Sequence, residues 1–117
     1  MEKTVNTKFY TFNQNNSGGF FKTSEKEGIG EIVIVEALNP SHANQRAEEI
    51  GLYFNGCSTG SDCSCCGDRW SSIWDSDEGD EVPSWYGEPI ENAEQTWCRK
   101  NYFIHYLDKT IQKGELK

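Results

Sequence analysis

The stretch EIVIVEALNPSHANQRAEEIGLYF, residues 31–54, predicts a buried strand that leads directly into a helix. In its first part Ile32 and Ile34 lie on one face, and Val33 and Val35 lie on the other. A strand that is apolar on both faces is typical of the middle of a sheet that is covered on both sides, at least locally. The rest of the fold is therefore expected to be arranged around this strand.

The second part of the stretch carries the signals of a helix that begins and ends within it. Asn39 is suited to cap the helix, Pro40 to occupy its first position and Gly51 to end it. The apolar positions at helical spacing are Ala43, Ala47 and Ile50. Because these side chains are small, the helix is expected to lie close against the sheet.

Two hairpins are predicted near the ends of the chain. Residues 8–12 and 20–23 are strand-like and flank a run of turn residues. Residues 101–107 and 110–116 flank a two-residue turn. The predicted fold class is α+β, with a small antiparallel or mixed sheet, one main helix and a cysteine-rich loop.

The length of the chain predicts a single compact domain over residues 1–117. Its charge is concentrated in an irregular segment at about residues 70–98, which contains no lysine or arginine between Trp70 and Cys98. The number of acids in this segment equals the net negative charge of the whole chain, which is −8. These acids are Asp75, Asp77, Glu78, Asp80, Glu81, Glu88, Glu91 and Glu94. All four tryptophans lie in the same segment. A segment with this composition is expected to pack against another surface, because each indole buries a large area.

This combination of indoles and carboxylates favours a binding surface for a protein. Tryptophan is over-represented at the energetic centres of interfaces, and an acidic rim steers a basic partner toward it. The residues predicted to bind a partner are Trp74, Asp77, Asp80, Trp85 and Tyr86. The alternative is that the tryptophans fill the core of a small domain that is short of leucine and isoleucine.

The loop CSTGSDCSCCGDRW, residues 57–70, places four cysteines within ten residues. Cys63 and Cys66 have the C-x2-C spacing of zinc loops, and a structural zinc ion is the predicted cofactor. The predicted ligands are Cys57, Cys63, Cys66 and Cys98, with Cys65, His105 and His42 as alternatives. Reduced cysteines packed as small apolar groups, a disulfide and a reactive thiol remain open as interpretations of the same loop.

A second predicted site is a pocket for a small nucleotide, in which cationic donors lie beside stackable rings. Its candidate residues are Arg69, Trp70, Arg99 and Lys100. Duplex nucleic acid is not expected as a partner because the net charge repels a phosphate backbone. No apolar run is long enough to span a membrane, and the N-terminus lacks the apolar region of a signal peptide, so a cytoplasmic location is expected. The sequence contains none of the common enzyme motifs, and no catalytic residue is predicted.

Three stretches together resemble a family of small uncharacterised proteins encoded by tailed bacteriophages. They are FYTFNQNNSGGFF, IVIVEALNPSHANQRAEEIGLYF and GCSTGSDCSCCGDRW, and the likeness covers most of residues 8–106. This family has no assigned activity, so the resemblance assigns no residue a role. It implies a phage accessory protein that acts in the bacterial cytosol.

The function expected from this resemblance and from the absence of a catalytic motif is stoichiometric binding. The chain is expected to neutralise a host component of antiviral defence without catalysis, through the segment rich in tryptophan and acids. A different hypothesis is a sponge that sequesters a nucleotide-type immune signal. The sequence is also compatible with a small hydrolase and with a component of the virion or its assembly, and it leaves the oligomeric state open.

Overall fold

The structure is a computed structural model, and it describes residues 7–15, 22–60, 67–85, 88–92 and 101–115. The strands are β1 (Lys8–Asn13), β2 (Ile32–Ala37), β3 (Ser84–Trp85), β4 (Glu88–Pro89), β5 (Asn101–His105) and β6 (Ile111–Glu115). The helices are α1 (Pro40–Ile50) and α2 (Gly56–Thr59). Within these ranges neither helix is long and apolar enough to cross a membrane.

The main sheet has four strands in the order β1-β2-β5-β6. β2 is antiparallel to β1 and parallel to β5, and β5 is antiparallel to β6. Parallel neighbours need a long crossover, and the connection between β2 and β5 contains α1 and the small antiparallel pair of β3 and β4. The predicted α+β class with a mixed sheet and one main helix is confirmed, whereas residues 61–66 of the cysteine-rich loop lie outside the described residues.

Both faces of β2 are buried, as its sequence predicts. Val33 and Val35 belong to the core between the sheet and α1. Ile32 and Ile34 belong to a second core, which includes Ile90 from the turn after β4. The helix and the small hairpin thus cover opposite faces of the central strand, which explains why no polar residue interrupts its apolar run.

The predicted ends of α1 are also confirmed. The Asn39 side chain accepts a hydrogen bond from the His42 backbone N–H at 2.8 Å, and the Gly51 N–H reaches the carbonyls of the last turn. His42 closes the cap from the other direction, because its Nδ1 accepts from the Leu38 N–H at 3.0 Å. In the described structure His42 therefore acts in capping the helix.

The predicted N-terminal hairpin is not seen among the described residues, in which β1 pairs along its whole length with β2. Lys22 and Thr23 form no strand, while Phe20 and Phe21 lie outside the described residues. The backbone of Lys22 forms its hydrogen bonds with the Gln14 side chain instead of with a neighbouring strand. The Gln14 amide accepts from the Lys22 N–H at 2.6 Å and donates to the Lys22 carbonyl at 2.9 Å. Lys22 is thereby satisfied without a ladder partner.

The C-terminal hairpin of β5 and β6 is confirmed. The Tyr106 N–H donates to the Thr110 carbonyl at 2.9 Å and continues the ladder beyond β5 to the turn. Lys109 adopts a left-handed conformation, with φ of 77°, to close that turn. The segment at about 70–98, predicted to be irregular, contributes the short β3–β4 pair in its described part.

Candidate partner-binding surface

Trp74 projects from the acidic segment, and its side chain is the most exposed large apolar group among the described residues, at 77%. Asp75, Asp77 and Glu78 follow it and are also exposed. We call Trp74, Asp75, Asp77, Glu78 and Asp80 the acidic surface. It combines a ring that is available for burial with several carboxylates.

The acidic surface is held in a defined shape by a turn. The Asp77 N–H donates to the Trp74 carbonyl at 2.9 Å, and the Asp77 carboxylate accepts from the Gly79 N–H at 2.8 Å. Gly79 has a φ of 70°, and a Cβ there would lie 2.6 Å from the Cβ of Lys8. Only glycine fits this conformation and this close approach without strain.

The same turn is anchored to the outer edge of β1. Phe9 and Asp80 exchange two backbone hydrogen bonds, of 2.8 and 2.9 Å. Lys8 adds an ion pair with Glu81. The acidic surface therefore extends the edge of the main sheet.

Two carboxylates of the acidic surface, those of Asp77 and Asp80, repel each other. Partial burial raises the pKa of Asp80, and the neighbouring charge of Asp77 raises it further. Burial also raises the pKa of Tyr10, to which the Asp77 charge adds. A cationic partner would relieve this repulsion, so the electrostatics favour a basic ligand.

The other two tryptophans with described positions, Trp70 and Trp85, pack in or against the hydrophobic cores. Trp70 is 2% exposed in the core beneath α1. Trp85 is half-buried against the second core, and its Nε1 donates to Asn13 Oδ1 at 2.7 Å. Trp97 and the predicted partner residue Tyr86 lie outside the described residues. Among the tryptophans with a described position, Trp74 alone presents most of its ring to solvent.

Of the residues predicted to bind a nucleotide, Arg69 and Trp70 lie in the interior. Arg69 is 2% exposed, and its Nη1 donates to Gln14 Oε1 at 2.9 Å. The described structure thus gives Arg69 a place in a buried polar network rather than on a surface. Arg99 and Lys100 lie outside the described residues. Gln14, the centre of this network, was missed because its surroundings in sequence are typical of a turn.

The ends of the cysteine loop meet in the structure. Cys57 is half-buried at the start of α2, and its N–H donates to the Asp68 carboxylate at 2.9 Å. The Asp68 carbonyl in turn accepts from the Asn15 side chain at 3.2 Å. Cys63, Cys65, Cys66 and Cys98 lie outside the described residues.

Among residues 7–15, 22–60, 67–85, 88–92 and 101–115, no three histidine, cysteine or acidic side chains form a group that could hold a metal ion. The alternative ligand His105 is buried in β5. Its Nε2 is 2.7 Å from the Gly28 carbonyl, so this nitrogen carries the proton and donates it. Structural zinc therefore stays a prediction.

A family model matches residues 7–116, almost the whole chain, and it describes a domain of unknown function, DUF7296. The chain belongs to the DUF7296 family. No curated protein and no solved structure matches it. Membership in DUF7296 assigns no activity to the chain, so its activity is inferred from its residues.

A buried cation and a histidine lie together at the carboxyl ends of β2 and β5. Arg46 of α1 is 7% exposed and donates to the carbonyls of Glu36 at 2.6 Å and Tyr106 at 3.1 Å. Burial lowers the pKa of His105, and the Arg46 charge lowers it further, although the bond to the Gly28 carbonyl acts in the opposite direction. The folded protein consequently favours the neutral protonation state of His105.

We expect the stability of this domain to fall as the pH decreases from 7 to 5. The unfolded chain takes up a proton on His105 near its ordinary pKa of about 6.5, whereas the folded chain resists protonation until a lower pH. The free energy of unfolding, measured by urea denaturation at each pH, should decline more steeply for the wild type than for His105→Gln. Parallel pH profiles for the two proteins would contradict this expectation.

Proposed function

We propose that this chain is a non-enzymatic accessory protein of a tailed bacteriophage, which binds a basic host protein through the acidic surface. The observation that carries the proposal is the exposed indole of Trp74 within a turn of carboxylates. Tryptophan is enriched among the residues that contribute most to binding at protein interfaces, where a partner buries the ring. Because the residues that flank Trp74 are acidic, the proposed partner is basic.

The two parts of the acidic surface would act at different stages of binding. The carboxylates of Asp75, Asp77 and Glu78 attract a basic surface over several ångströms and so accelerate encounter. Trp74 would then be buried at the centre of the contact and slow dissociation, as tryptophan does at interface hot spots. The backbone pairing of Asp80 with Phe9 limits the ordering that binding requires.

The host component is proposed to belong to an antiviral defence system, and the chain to act on it in the bacterial cytoplasm by occupying it stoichiometrically. This part of the proposal is supported by the likeness to small phage proteins and by the absence of a recognised catalytic motif from the sequence. Structural zinc in the cysteine loop is proposed alongside it. The hydrogen bond from the Cys57 N–H to the Asp68 carboxylate brings the two described ends of that loop together, which supports the proposal.

The proposal predicts that Trp74→Ala weakens partner binding at least about tenfold, the loss typical of a hot-spot tryptophan. The partner is first captured covalently in the bacterial host, with a photoreactive phenylalanine analogue at the exposed position 76, which keeps Trp74 in place. Affinity of the purified partner is then measured by calorimetry for the wild type and for Trp74→Ala. Binding to the wild type should also weaken as salt is added.

Leu38→Ala provides the matched control, because Leu38 is 47% exposed and lies outside the acidic surface. This variant should bind as the wild type does. Circular dichroism should show the same fold for Trp74→Ala, since that ring packs little against the domain. An unchanged affinity in Trp74→Ala, with the fold intact, would refute the proposed surface.

A further inference from the structure

A mainly apolar cavity of about 330 Å³ lies between the small hairpin and the second face of the main sheet. The residues that line it include Val82, Ile90, Glu91, Ile104, Tyr106 and Gln112. Ile90 and Ile104 are almost fully buried and form its floor, whereas Val82 is 48% exposed at its rim. Val82 lies two residues after Asp80, so the cavity follows the acidic surface along the chain.

Tyr106 also lines a second cavity. Its hydroxyl donates to Gln112 Oε1 at 2.8 Å, and Phe9 packs edge-on against its ring at a centroid distance of 5.9 Å. The neighbouring cavity, of about 340 Å³, is lined by Glu36, Tyr106, Leu107 and Asp108. The Tyr106 ring, which these two contacts hold in place, therefore lines both a mainly apolar cavity and a cavity that contains two carboxylates.

The electrostatic field at this ring is negative. Burial raises the pKa of Tyr106, and the charges of Glu36, Glu91 and Asp108 raise it further. Glu36 is held by the Leu107 N–H at 2.9 Å and Asp108 by the Thr110 N–H at 3.0 Å, so these two carboxylates are fixed in place. Glu91 is exposed at the rim of the apolar cavity. A cation placed here would interact with carboxylates and with the face of a ring.

We propose that the two cavities around Tyr106 form one site for a basic segment of the partner protein, with an apolar side chain in the Ile90–Ile104 cavity and a lysine or arginine beside Tyr106. The site rests on the proposed function for the identity of its occupant, but its chemistry is tested without that partner. Charge complementarity selects the occupant, because an apolar group alone would make no ion pair with the exposed carboxylates of Glu91 and Asp108. An anionic ligand would be repelled.

The test is a titration of the ¹⁵N-labelled full chain, followed by NMR chemical shifts. The probe is N-acetyl-leucyl-arginine amide, and the neutral control is the same dipeptide with citrulline in place of arginine. We expect shifts at Ile90, Ile104, Tyr106 and Gln112, with a dissociation constant of about 1 mM, since so small a ligand gains little. The citrulline peptide should bind at least about fivefold more weakly.

Glu91→Gln is the informative variant because it removes one exposed charge without changing the shape of the rim. It should weaken the arginine peptide about two- to fivefold, the range of an exposed ion pair, and leave the citrulline peptide unaffected. Val82→Lys should weaken the arginine peptide by at least as much. The same type of substitution at Glu48, an exposed residue of α1, is the control and should change neither affinity.

Three results would overturn the proposal: no shifts around Tyr106, equal affinity for the two peptides, or tighter binding of free phenethylammonium, which would assign the site to a small organic cation. The Trp74→Ala variant distinguishes a failure of the cavity proposal from a failure of the proposed function. It should leave the dipeptide affinity unchanged while weakening the partner. If the dipeptide does not bind and Trp74→Ala still weakens the partner, the acidic surface stands without the cavity.

Discussion

Replacing Gln14 by leucine is expected to lower the free energy of unfolding by about 3 kcal/mol, because one buried amide satisfies groups from three parts of the chain. Gln14 is 5% exposed. Its Oε1 accepts from the Lys22 N–H at 2.6 Å and from Arg69 Nη1 at 2.9 Å. Its Nε2 donates to the carbonyls of Lys22 at 2.9 Å and Gly30 at 3.1 Å. Leucine has nearly the same volume but offers none of these bonds.

The cost arises mainly at two of those partners. The Gly30 carbonyl is buried, and Arg69 is a buried cation that would lose an acceptor, so water cannot replace the amide at either position without rearrangement. Gln45→Leu is the matched control, since Gln45 is exposed on α1 and the same substitution there should change stability by less than about 0.5 kcal/mol. Urea denaturation of the two variants, followed by circular dichroism, measures the difference. Equal midpoints for both variants would show that the network contributes little.

The sequence was sufficient to predict the central strand and helix because their signals are local. The apolar run of β2 and the capping residues Asn39 and Gly51 each act within a few residues. The partner of β1 could not be predicted in the same way. The turn residues after β1 indicated a hairpin, but the amide of Gln14 satisfied Lys22, and β1 paired with the more distant β2. Hydrogen bonds from one side chain to the backbone of Lys22 leave no periodic pattern in the sequence by which they could be predicted.

The candidate site was predictable in its composition but not in its geometry. The four tryptophans in one acidic segment indicated a binding surface, and the structure shows that Trp74 is exposed while Trp70 is in the core. Their neighbours in sequence do not distinguish these two rings. Arg69 likewise resembled a ligand donor because nothing near it in the chain reveals that Gln14 lies against it. Such distinctions depend on contacts between residues far apart in sequence.

Replacing Arg46 by methionine is expected to lower the free energy of unfolding by about 2–3 kcal/mol and to raise the pKa of His105. Methionine keeps most of the packing of the side-chain stem. It cannot donate to the carbonyls of Glu36 at 2.6 Å, Tyr106 at 3.1 Å and His105 at 3.5 Å, which the guanidinium now joins across the ends of β2 and β5. Relief of the buried charge offsets part of this loss, but three acceptors remain without their donor.

Arg46→Lys separates the effect of charge from that of shape. An ammonium keeps the positive charge near His105 but lacks the planar fork that reaches two strand ends at once. Its stability, measured by urea denaturation, should therefore fall almost as far as that of the methionine variant. The pKa of His105, followed by NMR of the ring protons, should stay lowered in Arg46→Lys and rise in Arg46→Met. If lysine restores the stability as well, the charge rather than the fork holds β2 and β5 together. An unchanged pKa in both variants would mean that burial of the imidazole alone sets its protonation.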